Sequence, residues 1–386
     1  MSSIAEPISS TPILGAQAGR TAPLNIAHVG DSMEMGGAEK LTATLCRLQR
    51  DRGHTASVHC LYRLGVLGEE MRAEGFEVVL HHPSSFLRLV RSLYRSFRRS
   101  RPDVVHCHNA TAAIMAALPA RLAGVKTVIV TRHGLVKPPY QMRRELKFAL
   151  ASRWCDWIVG VCEGTQTNLR AAPFAARDKI IHIYNGADPA DIRALPQPKK
   201  GFTLLHVGRL APLKDHATLL QALALTRVQH PEVQLWIVGD GPLQASLRML
   251  TDALELHECV TFFGEQTDVS PFLLAADLFV NSSVTEGLPV SLLEAMSVGL
   301  PAVVTDVGGM GEIARLSGAV TLVPSSDPEG MARALCDAFA ERQELPKLGQ
   351  LASHCYEQYF KPERMLEDYM SLYNGCISQN PALHSA

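Results

Sequence analysis

The 386-residue chain has no apolar run approaching the ~18 residues a membrane helix needs. Its most apolar candidate, residues 148–162, is interrupted by Arg153 and Asp156, so no bilayer-spanning helix is expected. It has almost no net charge, formally −1, which excludes bulk nucleic-acid binding because that partner demands a strong cationic surface. It has no CxxC pair. Nine cysteines, an odd number running from Cys46 to Cys376, fit reduced thiols of a cytosolic compartment and not a disulfide framework. Residues 1–22 lack a basic stretch and a long apolar core and carry Glu6, so they read as a disordered tail, and residues 377–386 are set apart as a second tail. A GxGxxG loop with an acid at the usual distance is also missing, which disfavours a nicotinamide enzyme.

What is present, 47% hydrophobic and 19% charged residues, is the make-up of a globular chain with room for two α/β domains. From Leu24 onward, short apolar runs alternate with segments of helical period, the pattern of parallel sheets covered on both faces. Strands are expected at 24–30, 56–62, 76–82, 103–109, 127–134, 156–163 and 179–186. The polar, proline-marked stretch 194–200 breaks the rhythm and reads as a linker. Strands resume at 203–209, 233–241, 259–265, 277–283, 301–306 and 319–324. The expected organisation is two Rossmann-like halves facing a cleft, residues 23–193 and 194–358, with a helix at 359–376 reaching back onto the first half.

One stretch, from Ala276 to Gly309, concentrates carboxylates and glycines at the carboxyl edge of a βαβ unit. Pro289 suits a first helical position, and the N–H groups of Val290 and Ser291 then leave a positive dipole end that favours anions. Glu294, about a turn and a half into that helix, cannot cap it and suits hydrogen bonds from ligand hydroxyls. Gly208 and Arg209 close the strand at 203–209, and Lys214 follows five residues later. Two cations entering a cleft opposite a helix start can neutralise a diphosphate, Arg as a fork and Lys as a point charge. In the first half, Gly36 and Gly37 let backbone approach a ligand and open a helix, though a plain tight turn would use the same residues. His133 ends a strand at the edge where open sheets bind ligands.

His106 and His108 share a strand face, which would suit a metal pair, but no third ligand of suitable spacing stands near in sequence. Cleft-lining histidines are the expectation. Six arginines between Arg88 and Arg101, with no acid among them, place Arg88, Arg91, Arg95 and Arg98 or Arg99 on one helical side and Val90, Leu93 and Phe97 on another. A solvated basic face is one reading; docking on anionic lipid headgroups is the other.

In order and spacing the pieces GGAE (36–39), DVVHCHN (103–109), TRHG (131–134), IYNGAD (183–188), VGRLAPLKDH (207–216), IVGDGP (237–242), FFGE (262–265) and EGLPVSLLEAMSVGLPAVVTDVGG (286–309) resemble the family 4 glycosyltransferases. These are retaining enzymes of GT-B architecture, and Glu286 and Glu294 form their E-x7-E pattern. The resemblance implies that Arg209 and Lys214 hold the donor diphosphate, with Glu294 on the ribose and Glu286 on the transferred sugar. It also implies that His133 lines the reaction centre and that Gly36 and Gly37 close over the phosphates. The implied reacting set is thus Glu286, His133, Arg209 and Lys214. The donor-binding set is Gly36, Gly37, Arg209, Lys214, Leu288, Val290 and Glu294. Such enzymes generally need no metal, in keeping with the missing DxD-type cluster, so no cofactor is expected beyond a nucleoside-diphosphate sugar as donor substrate. Cys162 departs from the pattern, standing where relatives often carry serine. Met35 replaces the lysine that bacterial glycogen synthases place before the paired glycines, which turns the expectation towards a surface or exported saccharide.

The expected partners are a nucleotide-sugar donor and a glycan or lipid-linked acceptor, with no nucleic acid. The expected location is cytoplasmic, with the Arg88–Arg101 segment as the point of any peripheral contact with the inner face of the membrane. A nucleotide-sugar 2-epimerase and a non-catalytic nucleotide-sugar-binding protein share the architecture and stand as alternatives.

Overall fold

A computed structural model describes residues 22–82, 85–136, 141–173 and 175–375. Residues 1–21 and 376–386, nearly all of the two expected tails, lie outside it. Among the described residues, thirteen strands form two parallel sheets. The first contains β1 (Asn25–Ser32), β2 (Thr55–Arg63), β3 (Glu77–Leu80), β4 (Val104–Cys107), β5 (Thr127–Arg132), β6 (Trp157–Gly160) and β7 (Ile180–His182), in the order β3-β2-β1-β4-β5-β6-β7. The second contains β8 (Thr203–Val207), β9 (Gln234–Val238), β10 (Val260–Gly264), β11 (Leu278–Asn281), β12 (Ala302–Thr305) and β13 (Val320–Val323), in the order β10-β9-β8-β11-β12-β13. Every expected strand is present. Most end one to three residues earlier than their apolar runs, because the last residues of each run turn into the loop at the carboxyl edge.

Alternation along the strands divides each core between two faces. In the first sheet Ala27, Val105 and Val128 face the alanine-rich helix Ala110–Leu122 and the inward Leu89, Leu93 and Phe97 of helix Phe86–Ser100. Ile26, Val104 and Ile129 face the other way, onto Leu41 and Leu45 of helix Gly37–Asp51 and onto Met365, Leu366, Tyr369 and Tyr373.

Those last four residues belong to the final helix, Pro362–Tyr373, so the chain does cross back onto the first half. Helix Leu345–Cys355 packs on the second half and continues as a π-type turn, Tyr356–Phe360. Lys361 is then extended and Pro362 restarts the helix, so the expected uninterrupted helix is broken in two. At the crossing the outgoing and returning strands of chain bind each other. Tyr356 donates its hydroxyl to Ala187 O at 2.7 Å, and Ala187 N donates to Phe360 O at 3.0 Å.

No helix among the described residues is long and apolar enough to cross a membrane.

Candidate functional site

An open parallel sheet forms a crevice at the carboxyl ends of its strands where the strand order reverses. Reversal falls between β1 and β4 in the first sheet and between β8 and β11 in the second. The loops leaving these four strands carry most of the candidate residues: Gly36 and Gly37, His108, Arg209 and Lys214, and the segment from Glu286 to Glu294. His133 follows β5, the next strand along.

In the second domain, Lys214 ends a short 3-10 turn, Pro212–Lys214, which Ser282 ties down by donating its hydroxyl to Lys214 O at 2.8 Å. Lys214 Nζ lies 2.5 Å from Glu286 Oε1, and Ser283 donates to the same oxygen at 2.7 Å. The two residues that the sequence assigned to different parts of a ligand are therefore partners of each other. Arg209 is exposed; across from it in the first domain, burial pushes the Glu39 carboxyl up, and the Arg209 charge is one of the smaller influences opposing that rise.

The helix carrying Glu294 runs Val290–Ser297, one residue later than expected. Pro289 is its N-cap with ψ 125, not its first helical residue, because Leu292 and Leu293 already donate to Pro289 O. Leu288 is buried, and its carbonyl accepts from Asn185 Nδ2 at 2.9 Å. The Glu294 side chain is 13% exposed; burial pushes its carboxyl up, opposed chiefly by Lys40, whose Nζ lies 3.5 Å away in the first domain. Beside this pair is a cavity of about 250 Å³ lined by Lys40, Thr44, Asp188, Asp268 and Glu294 among others.

The two halves touch along this edge. Gly37 approaches Val290 so closely that a Cβ would sit 3.4 Å from Val290 Cγ2. Gly287 lies against the carbonyl of His133, where any Cβ would overlap that oxygen and stand 2.9 Å from Val161 Cγ2. Only glycine allows this approach. Gly36 is extended at the start of the helix after β1. Both ring nitrogens of His133 are buried without a protein partner, and burial lowers its pKa to about 4, keeping the ring neutral.

The other histidines correct the sequence reading in two ways. A third nitrogen-bearing side chain does stand by His106 and His108: His28, with one ligand atom from each lying within 4.8 Å of the others. It was invisible because it comes from β1, far away in sequence but paired with β4 in register His28↔His106. The three rings are nonetheless taken up in two separate hydrogen-bonded chains. His28 joins Gln49 Oε1 at 2.9 Å and His108 Nε2 at 2.9 Å, while His106 joins Tyr373 at 2.7 Å and Thr131 at 2.8 Å. Nor does His106 line the cleft, since it is fully buried beneath Tyr369 and Tyr373 of the returning helix.

In helix Phe86–Ser100 the inward stripe is Leu89, Leu93 and Phe97, not Val90, Leu93 and Phe97, in keeping with a spacing of four. Arg88, Arg91, Arg95, Arg98 and Arg99 are exposed, and so are Phe86, Leu87 and Tyr94. On helix Met142–Ala151, which shares helix Ala110–Leu122 as a neighbour with Phe86–Ser100, Met142, Leu146 and Leu150 are exposed beside Arg143 and Lys147.

Three residues of this edge escaped the sequence reading: Lys40, which pairs with Glu294; Asn185, which holds Leu288; and Glu312, 5% exposed, which accepts from Glu163 N at 2.9 Å and from Gly164 N. Each acts across 103 to 254 residues of chain, so local spacing carries no trace of it. Their only signal was adjacency, since Lys40 follows GGAE, Asn185 lies within IYNGAD, and Glu312 stands three residues past Gly309. Cys162, where a serine was looked for, is the N-cap of helix Glu163–Ala171, its Sγ accepting from Thr165 N at 3.4 Å.

Two family models match, Glycosyltransferase Family 4 over residues 35–191 and Glycosyl transferases group 1 over residues 187–354. The chain is 29% identical over 242 residues to the UDP-Gal:alpha-D-GlcNAc-diphosphoundecaprenol alpha-1,3-galactosyltransferase of Escherichia coli, covering 56% of this chain and 61% of that protein. It is 25% identical over 310 residues to the N-acetyl-alpha-D-glucosaminyl L-malate synthase of Bacillus anthracis, covering 76% and 80%. Anabaena HepE, crystallised in complex with UDP-glucose, superposes with a TM-score of 0.81 at 20% identity over 91% of this chain and 100% of that one.

Proposed function

The chain belongs to the family 4, group 1 glycosyltransferases of GT-B fold, and we propose that it is a retaining enzyme moving a sugar from a nucleoside diphosphate to a glycan or lipid-linked acceptor of surface or exported polysaccharide synthesis. The observation that carries this reading is the meeting of Lys214 and Glu286, 2.5 Å apart, with the Gly287–His133 contact between the domains. Breaking a glycosyl–phosphate bond places positive charge on the sugar and negative charge on the diphosphate. Fixed cations at the phosphate, here Arg209 and Lys214, lower that barrier by preorganised electrostatics, helped by the N–H groups at the start of helix Val290–Ser297. Donor binding turns the Lys214 ammonium from Glu286 to the diphosphate, and frees Glu286 to accept from the sugar's hydroxyls. Glu294 takes the ribose in place of Lys40, and Leu288 and Val290 present backbone to the donor while Gly36 and Gly37 close over it. The neutral His133 lines the sugar's face. The leaving phosphate takes the acceptor's proton on the same face, which gives retention without a resident metal.

A lipid-linked acceptor is supported by the E. coli relative's name and by the exposed arginines and apolar side chains of helices Phe86–Ser100 and Met142–Ala151. They suit a cytoplasmic protein resting on an anionic lipid surface.

The test is turnover of a panel of UDP-, GDP- and ADP-sugars, with products of donor alone read by NMR. Glu286→Gln and Lys214→Ala should each lower turnover by about a hundredfold or more. Turnover surviving both substitutions overturns the assignment, and an epimerised sugar formed without acceptor makes the protein a 2-epimerase.

A further inference from the structure

Helix Glu163–Ala171 follows β6 in the first domain, and its first N–H groups have no intrahelical acceptor. One of them, Thr165 N, is met within the domain by Cys162 Sγ, a weak acceptor. The two before it are met from the other domain. Glu163 N donates to Glu312 Oε2 at 2.9 Å, and Gly164 N donates to Glu312 Oε1. Glu312 lies in the first turn of helix Met310–Ser317 and is 5% exposed. A carboxylate accepting two amides at the positive end of a helix makes charge-assisted bonds.

We propose that Glu312 is a positioning residue: by capping a helix of the first domain from the second, it clasps the two domains in the arrangement that sets Gly287, next to Glu286, against His133. The clasp lies one short path from the candidate site. Glu312 is three residues beyond Gly309, whose N–H donates to Gly287 O at 2.7 Å. That same carbonyl is 3.7 Å from Cys162 Sγ, and Gly287 itself lies on the His133 carbonyl. Gly164, one of the two donors, is held so near the Gly308 carbonyl that a Cβ there would stand 3.0 Å from it. Moving Glu312 off the helix therefore shifts the Glu286–Leu288 loop relative to His133. Glu312 makes no contact with Lys214, Glu286 or Glu294 among the described hydrogen bonds and ion pairs, so its effect is carried by placement alone.

When the domains part, Glu163 N, Gly164 N and Glu312 all pass to water. The clasp is thus a contact of this domain arrangement, and its loss moves the equilibrium between this arrangement and a parted one.

The clasp stands on geometry, whereas its consequence for turnover rests on the proposed donor site, so the experiment reads the two separately. Backbone amide exchange at Glu163 and Gly164 is measured on the full chain without ligand, for wild type, Glu312→Ala and Glu312→Gln, with circular dichroism as the check on folding. Initial rates follow with whichever sugar nucleotide of the panel is turned over. Exchange at those two amides should rise about tenfold or more in Glu312→Ala, with later amides of the helix unchanged. Glu312→Gln, which keeps one acceptor oxygen, should fall between. kcat should drop about ten- to a hundredfold in Glu312→Ala, with donor KM moved far less. Unchanged exchange in both variants overturns the clasp. Raised exchange with wild-type kcat overturns its positioning role. Absence of turnover by the wild type with every sugar nucleotide would overturn the proposed function, while the exchange result still decides the clasp.

Discussion

Acidification from pH 6.5 towards 4 should unload the buried histidine chain, and His28 gives the size of the effect. Its ring is fully enclosed, with one nitrogen on Gln49 and the other on His108, and burial lowers its pKa from 6.5 to about 4 against a smaller upward pull from Gln49. Below pH 6.5 the unfolded chain therefore binds a proton that the folded protein refuses. The stability this group supplies is complete above pH 6.5 and is lost as pH falls to the folded value. A separation of 6.5 − 4 corresponds to about 3 kcal/mol, with a slope near 1.4 kcal/mol per pH unit inside the window. Urea unfolding would be followed from about pH 7.5 to about 4.5 for wild type and for His28→Gln. The variant should be less stable at neutral pH, since its shape is wrong for the site, but its stability should fall with acid less steeply by about 1.4 kcal/mol per unit. Parallel curves for the two proteins would refute the reasoning, since His28 would then titrate alike in both states.

Gly287→Ala forces a methyl between His133 O and Val161 Cγ2, so the domains must part by about an ångström; sugar-nucleotide turnover should fall about a hundredfold with helical content intact. Wild-type rates in that variant would show that the close contact is dispensable. Tyr373→Phe removes the hydroxyl 2.7 Å from His106 Nδ1 and leaves a buried nitrogen unpartnered, which should lower stability by about 1–3 kcal/mol in thermal unfolding. Charge reversal of Arg91 and Arg95 together should weaken sedimentation with anionic vesicles by about tenfold or more, on roughly 1 kcal/mol per basic residue, and leave neutral vesicles unaffected. Equal sedimentation of both proteins would remove the membrane reading.

Periodicity and motif order carried the fold a long way. Strands such as β11 and β12 are short, apolar and bounded by turn residues, so their existence and parallel setting follow from local chemistry. The break at Lys361-Pro362 was written there too, but a strong apolar period across it masked the proline. At the site, the residue types of Arg209, Lys214, Glu286 and Glu294 announced cations and carboxylates at strand ends, because that chemistry is fixed by side chain and position along a strand. Which of them touch was not announced.

Those contacts depend on sheet order and on how two domains close, and neither is a local property of the chain. His28 joined His106 and His108 only because β1 and β4 are neighbours in the sheet. Tyr373 reached His106 only because the last helix returned across the first domain. Lys40 found Glu294, and Glu312 found the helix after β6, only where two separately folded surfaces met. The sequence by itself determined the elements, the two sheets and the kinds of group at their carboxyl edges, since these follow from patterning over a few residues. The tertiary structure alone decided the partners of those groups, since long-range contacts are set by packing that no single segment encodes.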